Sequence, residues 1–318
     1  LKRLRITPAL FAAPVADEAG ARQYADSLKR EACDGVIAVF PNFGDESSCL
    51  TALRDAGVPI LFAACSDALD ALGPETRRDA FCGKISAVNL FRQCRVPCTV
   101  LAPHTVVIGA AAFDANLREF AAICRVVKGM KRVRAGSIGA RCTPFKTVRF
   151  DETALERYGI TNEAFDLSEL FGRYRALADD APDLREKAAA LRGYCRWPEG
   201  SDAALLRIAK LATAIDRMIA EYGLDLITLR CWTELETELK LSPCVILSLL
   251  NQCRITANCE VDTVNAIAMR ALSLAADAPA ACLDWNNNYG DDENRCILFH
   301  CGPVAADLMR APGRIVDH

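Results

Sequence analysis

The sequence predicts an α/β protein built from two parallel-sheet domains in tandem. Three observations carry this. Short, continuously apolar runs at residues 35–40, 58–63, 133–139 and 225–230 have the composition of strands buried on both faces. Helical stretches with an apolar stripe separate them, which is the pattern of a parallel sheet covered by helices. The alternation starts twice, and 318 residues suffice for two domains with part of a third.

In order, residues 17–31 form the first expected helix, with Ala21, Tyr24, Ala25 and Leu28 on one face. The strand 35–40 follows, then the turn Pro41-Asn42-Phe43-Gly44-Asp45, a helix over 46–56, the strand 58–63 and a helix over 81–95. A domain boundary is placed at 92/93, because 101–112 and 120–127 begin the second alternation. Residues 133–139 are a strand running into a turn with Gly136 and Gly139. A short helix over 151–158 is stopped by Gly159, and Asp166 is positioned to cap another. Residues 203–222 give the clearest helix, with Leu206, Ala209, Ile215, Met218 and Ile219 as a packing stripe and Gly223 as its stop. The strand 225–230 then delivers Cys231-Trp232-Thr233-Glu234 to its end.

With 52% hydrophobic and 25% charged residues, the chain has the composition of an ordinary globular protein. A formal charge of −3 offers no bulk attraction to nucleic acid or an anionic membrane, and the basic run 128–134 reads as a solvated strand edge. No apolar stretch spans a membrane, since Pro97, Pro103 and His104 break the best candidate, 96–113. Sixteen cysteines without a CxxC pair, most inside apolar runs, fit reduced thiols and a cytoplasmic protein better than a disulfide framework. Three histidines, His104, His300 and His318, nearly exclude a histidine-built zinc site, and His104 reads as structural. The chain opens on Leu1 and closes through 311–318 without completing a unit, so both ends are expected to be cut.

The densest chemistry lies in residues 253–302. Glu260 and Asp284 are each embedded in apolar sequence, where an acid must be paired, protonated or bound to a cation. The expected order is a strand tip with Glu260, a helix over 264–272, then a buried strand over 280–283 whose tip carries Asp284. Both carboxylates would then emerge at the carboxyl ends of neighbouring parallel strands. Acids so placed suit Mn²⁺ or Mg²⁺. Taken singly, each reads first as a helix cap or a loop ion pair, and it is their joint placement at strand ends that favours a cation. Asp262 is the cap of the helix that follows it, and the run 291–293 is a solvated loop.

The string Asn258-Cys259-Glu260-Val261-Asp262-Thr263-Val264-Asn265-Ala266-Ile267-Ala268-Met269, followed by Cys282-Leu283-Asp284-Trp285, resembles the L-fucose isomerase family in its shorter, fucose isomerase-like branch. Residues 134–149, 166–169, 230–232 and 298–302 extend the resemblance, which is looser in the first hundred residues. It implies two Rossmann-like domains (1–92 and 93–275) and the incomplete start of a C-terminal, largely β domain (276–318). It implies an aldose–ketose isomerase acting on a pentose or 6-deoxyhexose through a cis-enediol. Glu260 and Asp284 would hold Mn²⁺, or another divalent cation such as Mg²⁺ or Co²⁺, and act as the acid/base pair. The family's third ligand is a histidine in the C-terminal domain. His300 and Cys301 correspond instead to the segment lining the sugar, and Trp232 offers a ring face to it. The resemblance further implies a homo-oligomer, often a hexamer.

Two rivals stand beside this reading. Two hinged α/β domains also make a sugar-binding protein without catalysis, which the acid pair serves less well. A nicotinamide-dependent dehydrogenase needs a glycine fingerprint that the Gly136–Gly139 turn does not supply.

Overall fold

The computed structural model describes residues 4, 6–9, 11 and 13–316. Leu1 and His318, on which the expectation of cut ends partly rested, lie outside the described residues. The chain divides into two compact units, 1–128 and 129–318. Among the described residues no helix is long and apolar enough to cross a membrane.

The first unit opens with α1 (Glu18–Arg30), whose N-cap Asp17 accepts from Gly20 N at 2.8 Å. There follow β1 (Val36–Phe40), α2 (Glu46–Leu53), β2 (Ile60–Cys65), α3 (Ala80–Gln93), β3 (Thr99–Val106) and α4 (Ala111–Met130). The strands form one parallel sheet in the order β1-β2-β3. Its core sets Phe40, Phe62 and Phe91 edge to face, with centroids 5.6 and 5.0 Å apart. The turn after β1 is structural: both Asp45 carboxylate oxygens accept backbone N–H groups, from Ser47 and Ser48, and so cap α2. His104, in β3, stacks on Phe81 at 5.6 Å, and its carbonyl accepts from the buried Lys84 Nζ at 2.9 Å.

The second unit contains β4 (Val133–Ile138), α5 (Glu152–Glu156), β5 (Ile160–Phe165), α6 (Leu167–Ala176), α7 (Pro182–Tyr194), α8 (Asp202–Tyr222) and β6 (Leu226–Leu229). It continues through α9 (Glu234–Leu239), α10 (Cys244–Gln252), β7 (Thr256–Cys259), α11 (Thr263–Ala276), β8 (Asp284–Tyr289) and β9 (Asp292–Phe299). Its parallel sheet runs β5-β4-β6-β7. The pleat sends alternate residues of β6 to opposite faces. Ile227 and Leu229 pack with α8 through Leu211, Ile215 and Met218, while Leu226 packs with Ala266 of α11. Each fully buried Leu, Ile or Met contributes about 1.5–3 kcal/mol, so this core outweighs any single polar contact in the unit. Gly223 closes α8 at φ 60°, the left-handed cap that glycine adopts at least cost. On the α11 face Thr263 Oγ1 meets Ser137 Oγ at 3.0 Å and Thr228 Oγ1 at 3.3 Å, which satisfies three buried hydroxyls together.

The topology fixes where a site belongs. From β4 the chain adds β5 on one side, then crosses back to add β6 and β7 on the other. The reversal lies between β4 and β6, and their carboxyl ends open the crevice typical of ligand sites in such sheets.

One expectation needs correction. Residues 280–283 form no strand, and β7 is the sheet edge. Asp284 instead opens β8, which pairs antiparallel with β9 in a hairpin exposed along its whole length. Four residues with a half-exposed leucine at their end lack a second apolar face to bury. Cys282 also spends its carbonyl on the His300 ring, Nδ1 to O 2.9 Å, rather than on a neighbouring strand. The solvated loop expected at 291–293 is the tight end of this hairpin.

Candidate active site

The carboxyl ends of three strands lie level. Ile138 pairs with Leu229 and Leu229 with Cys259, so the residues just beyond them share one edge of the sheet. These are Arg141 and Cys142 after β4, Cys231 and Trp232 after β6, and Glu260 after β7.

Glu260 stands where the chain turns from β7 into α11 within three residues. Glu260 and Val261 both adopt left-handed backbone, φ 65° and 57°. Two such residues in succession, one of them β-branched, cost about 1–2 kcal/mol each. Non-glycine strain of this kind concentrates at sites where geometry matters more than stability. Asp262 ends the turn as the cap of α11, accepting from Asn265 N at 3.2 Å and Nδ2 at 2.6 Å.

The Glu260 carboxyl is half-buried. Loss of water pushes its pKa up, Asp284 and Asp262 push it further, and the His300 imidazole opposes them. Asp284 therefore reaches the neighbourhood of Glu260 from the start of the hairpin, by a route other than the expected parallel strand.

Beside the carboxylate lies a pair of thiols absent from the sequence-based site. Ligand atoms of Cys231, Cys259 and Glu260 all fall within 4.8 Å of one another. Cys259 Sγ is also 3.2 Å from His300 Nε2. The shared hydrogen bond draws the Cys231 thiol down and drives that of Cys259 up, burial adding to the latter. Gly302 is packed against the group. A Cβ there would stand 3.0 Å from His300 Nε2 and 3.2 Å from Cys259 Sγ, so a side chain at 302 would require those groups to give by a few tenths of an ångström.

The remaining expected residues divide. Trp232 is 46% exposed, with its ring 5.3 Å from that of Phe145, and so presents a face at the edge of the site. His300 meets the cluster as described, while Cys301 is exposed. Glu234 is committed elsewhere: Arg230 Nε and Nη2 hold its carboxylate at 2.5 and 2.8 Å and keep its pKa low. Arg141 uses Nη1 on the carbonyls of Cys142 and Thr143, 3.1 and 3.3 Å away. The dispersed thiols gave no spacing motif. Their signal was positional: Cys259 ends β7 and Cys231 lies two residues past the end of β6.

Residues 8–131 match the model of the fucose/sulfoquinovose isomerase N-terminal domain. The chain is related to the fucose isomerase-like family. A sulfoquinovose isomerase of Priestia aryabhattai is 23% identical over 288 residues, 90% of this chain and 63% of that protein. One from Alkalicoccus urumqiensis is 26% identical over 214 residues, 65% of this chain and 47% of that protein. A third, from Clostridium sp. (strain MSTE9), is 25% identical over 245 residues, 75% and 53% of the two chains. The chain thus spans less than two thirds of the length of these relatives. The family match falls in the first unit, where the resemblance read from the residues was loosest.

Proposed function

We propose that this chain carries the α/β portion of a metal-dependent aldose–ketose isomerase, with Glu260 and Asp284 holding the cation and sharing the proton transfers. The observation behind this reading is the half-buried Glu260 carboxyl just past the end of β7, partly desolvated and within the field of the Asp284 and Asp262 charges. Acids gathered against their own repulsion fit a divalent cation, and oxygen donors suit Mn²⁺, Mg²⁺ or Co²⁺. Such a cation would polarise the sugar carbonyl and stabilise charge developing on its oxygen.

The chain's own groups supply the rest. A carboxyl raised by burial is matched to carrying a proton between the two carbons of the cis-enediol, off C2 of the aldose and onto C1 of the ketose. The Trp232 ring supports the sugar, and His300 and Cys301 line its far side. The substrate is a pentose or a 6-deoxyhexose, the latter class including hexoses with a sulfonate at C6. The named activity of the relatives favours the sulfonated form. The protein acts in the cytoplasm as a homo-oligomer.

The test is Mn²⁺ calorimetry on the wild type, Glu260→Gln and Asp284→Asn. A ketose-formation assay follows, across aldopentoses, 6-deoxyhexoses and sulfoquinovose. The reading requires Mn²⁺ binding that both substitutions abolish and turnover of at least one sugar. Unchanged Mn²⁺ binding in both variants would sink it. Sugar binding without turnover would favour a non-catalytic binding protein.

A further inference from the structure

The thiols at the β6 and β7 tips have no role in the chemistry above, yet their arrangement is specific. His300 Nδ1 faces the Cys282 carbonyl at 2.9 Å. A carbonyl only accepts, so Nδ1 carries the proton, and in the neutral ring Nε2 presents a lone pair towards Cys259 Sγ, 3.2 Å away. Cys259 Sγ also lies within 4.8 Å of Cys231 Sγ. Cys259 S–H can donate to Nε2 and its sulfur can in turn accept from Cys231 S–H, so the two buried thiols and the imidazole form one contiguous group of potential donors to a cation. An imidazole oriented through Nδ1 by a backbone carbonyl, with Nε2 aimed at sulfur donors, is the arrangement of a metal-ligating histidine.

The geometry points to a second, thiolate-containing metal site in this chain, in which Cys231, Cys259 and Glu260, with His300 Nε2, bind Zn²⁺. Zinc takes four donors tetrahedrally, with Zn–S at about 2.3 Å and Zn–N at about 2.0 Å. Three of the donor atoms, on Cys231, Cys259 and Glu260, lie within 4.8 Å of one another, and His300 Nε2, outside that group, is 3.2 Å from Cys259 Sγ; side-chain rotations would bring the four together. Binding would displace the thiol protons: both thiols would release theirs to solvent, and the two thiolates and the carboxylate would bond the ion. This donor set is softer than the oxygen set of the isomerase reading and selects Zn²⁺ or Cd²⁺ over Mn²⁺ or Mg²⁺. Zinc binding itself does not depend on that reading. Its consequence does: through Glu260 the two sites share a ligand, so Zn²⁺ would displace the catalytic cation.

The experiment titrates Zn²⁺ against a chromophoric chelator on the whole chain as wild type, Cys231→Ser, Cys259→Ser, Asp284→Asn and the exposed-thiol control Cys82→Ser. Cd²⁺ absorption of the wild type is recorded alongside. One tight Zn²⁺ equivalent is expected, lost in both site serine variants and kept in Cys82→Ser and Asp284→Asn. A thiolate-to-cadmium charge-transfer band is expected in the wild type, and it reports the ligands whether or not a variant folds. Absence of that band overturns the proposal, as does full Zn²⁺ binding by both site serine variants. Loss of zinc in Asp284→Asn with retention in Cys231→Ser would place the ion on the oxygen donors and overturn it equally. Mn²⁺ binding by Asp284→Asn, measured separately, tests the isomerase reading alone.

Discussion

Replacing Glu260 in the metal-free protein separates what its backbone costs from what its charge costs. Glu260→Gln keeps the side-chain size and the left-handed backbone at φ 65° but removes the desolvated carboxylate. Glu260→Gly removes both. A left-handed L-residue costs about 1–2 kcal/mol, while glycine gives back about 0.5–1 kcal/mol through the greater freedom of its unfolded chain. Glu260→Gly should therefore exceed Glu260→Gln in stability by up to about 1.5 kcal/mol. At roughly 2–4 °C per kcal/mol for a unit of this size, that is a measurable rise in Tm.

The charge has its own signature. The folded-state pKa of Glu260 lies above its ordinary 4.5, so the folded protein holds this proton more tightly than the unfolded chain. That contribution is complete below pH 4.5 and is lost as pH rises through the folded-state value. Glu260→Gln lacks this loss, so its stability relative to the wild type should grow from pH 4.5 upward. Urea denaturation with a chelator present, run across pH, reads both effects. A Glu260→Gly protein less stable than Glu260→Gln would refute the strain argument, and a pH-independent difference between Glu260→Gln and the wild type would refute the desolvation argument.

Two further expectations concern parts of the fold away from the site. Lys84 is 3% exposed, with its ammonium bonded to the His104 carbonyl, and burial lowers its pKa below 10.5. The unfolded chain therefore binds this proton more tightly, and the wild type should gain on Lys84→Met as pH rises towards 10.5. At neutral pH the variant should be equally or more stable by denaturant titration. Arg270 of α11 holds the Asp225 carboxylate at 2.9 Å, its carbonyl at 3.0 Å and the Gly129 carbonyl at 3.3 Å. Arg270→Ala leaves these acceptors without their donor and should cost about 2–3 kcal/mol in a thermal melt; a change under about 0.5 kcal/mol would mean that water replaces the guanidinium.

The elements were readable because their signals are local. Asp166 and Asp262 each cap the helix assigned to them, and Gly223 ends α8. The strand expected over 280–283 misled because a short apolar run reads alike whether or not a neighbouring strand exists to pair with it. Among the described residues β7 has no parallel neighbour beyond it, so the chain left the sheet there and turned into the hairpin. Glu260 was legible as a site candidate from its apolar setting. Cys231 and Cys259 were not, since single cysteines in apolar runs read as core, and it took the pairing of β6 with β7 to bring them together.

The sequence by itself determined the alternation of strands and helices, the caps, the parallel sheets and the prominence of Glu260 and Asp284. Each depends on periodicity or on residues a few positions apart. Only the tertiary structure decided the strand order β5-β4-β6-β7, the level alignment of the strand ends and the approach of His300 to Cys259. Those arise from pairing between segments far apart in the chain, chosen by how apolar faces pack together, and no local pattern encodes that choice.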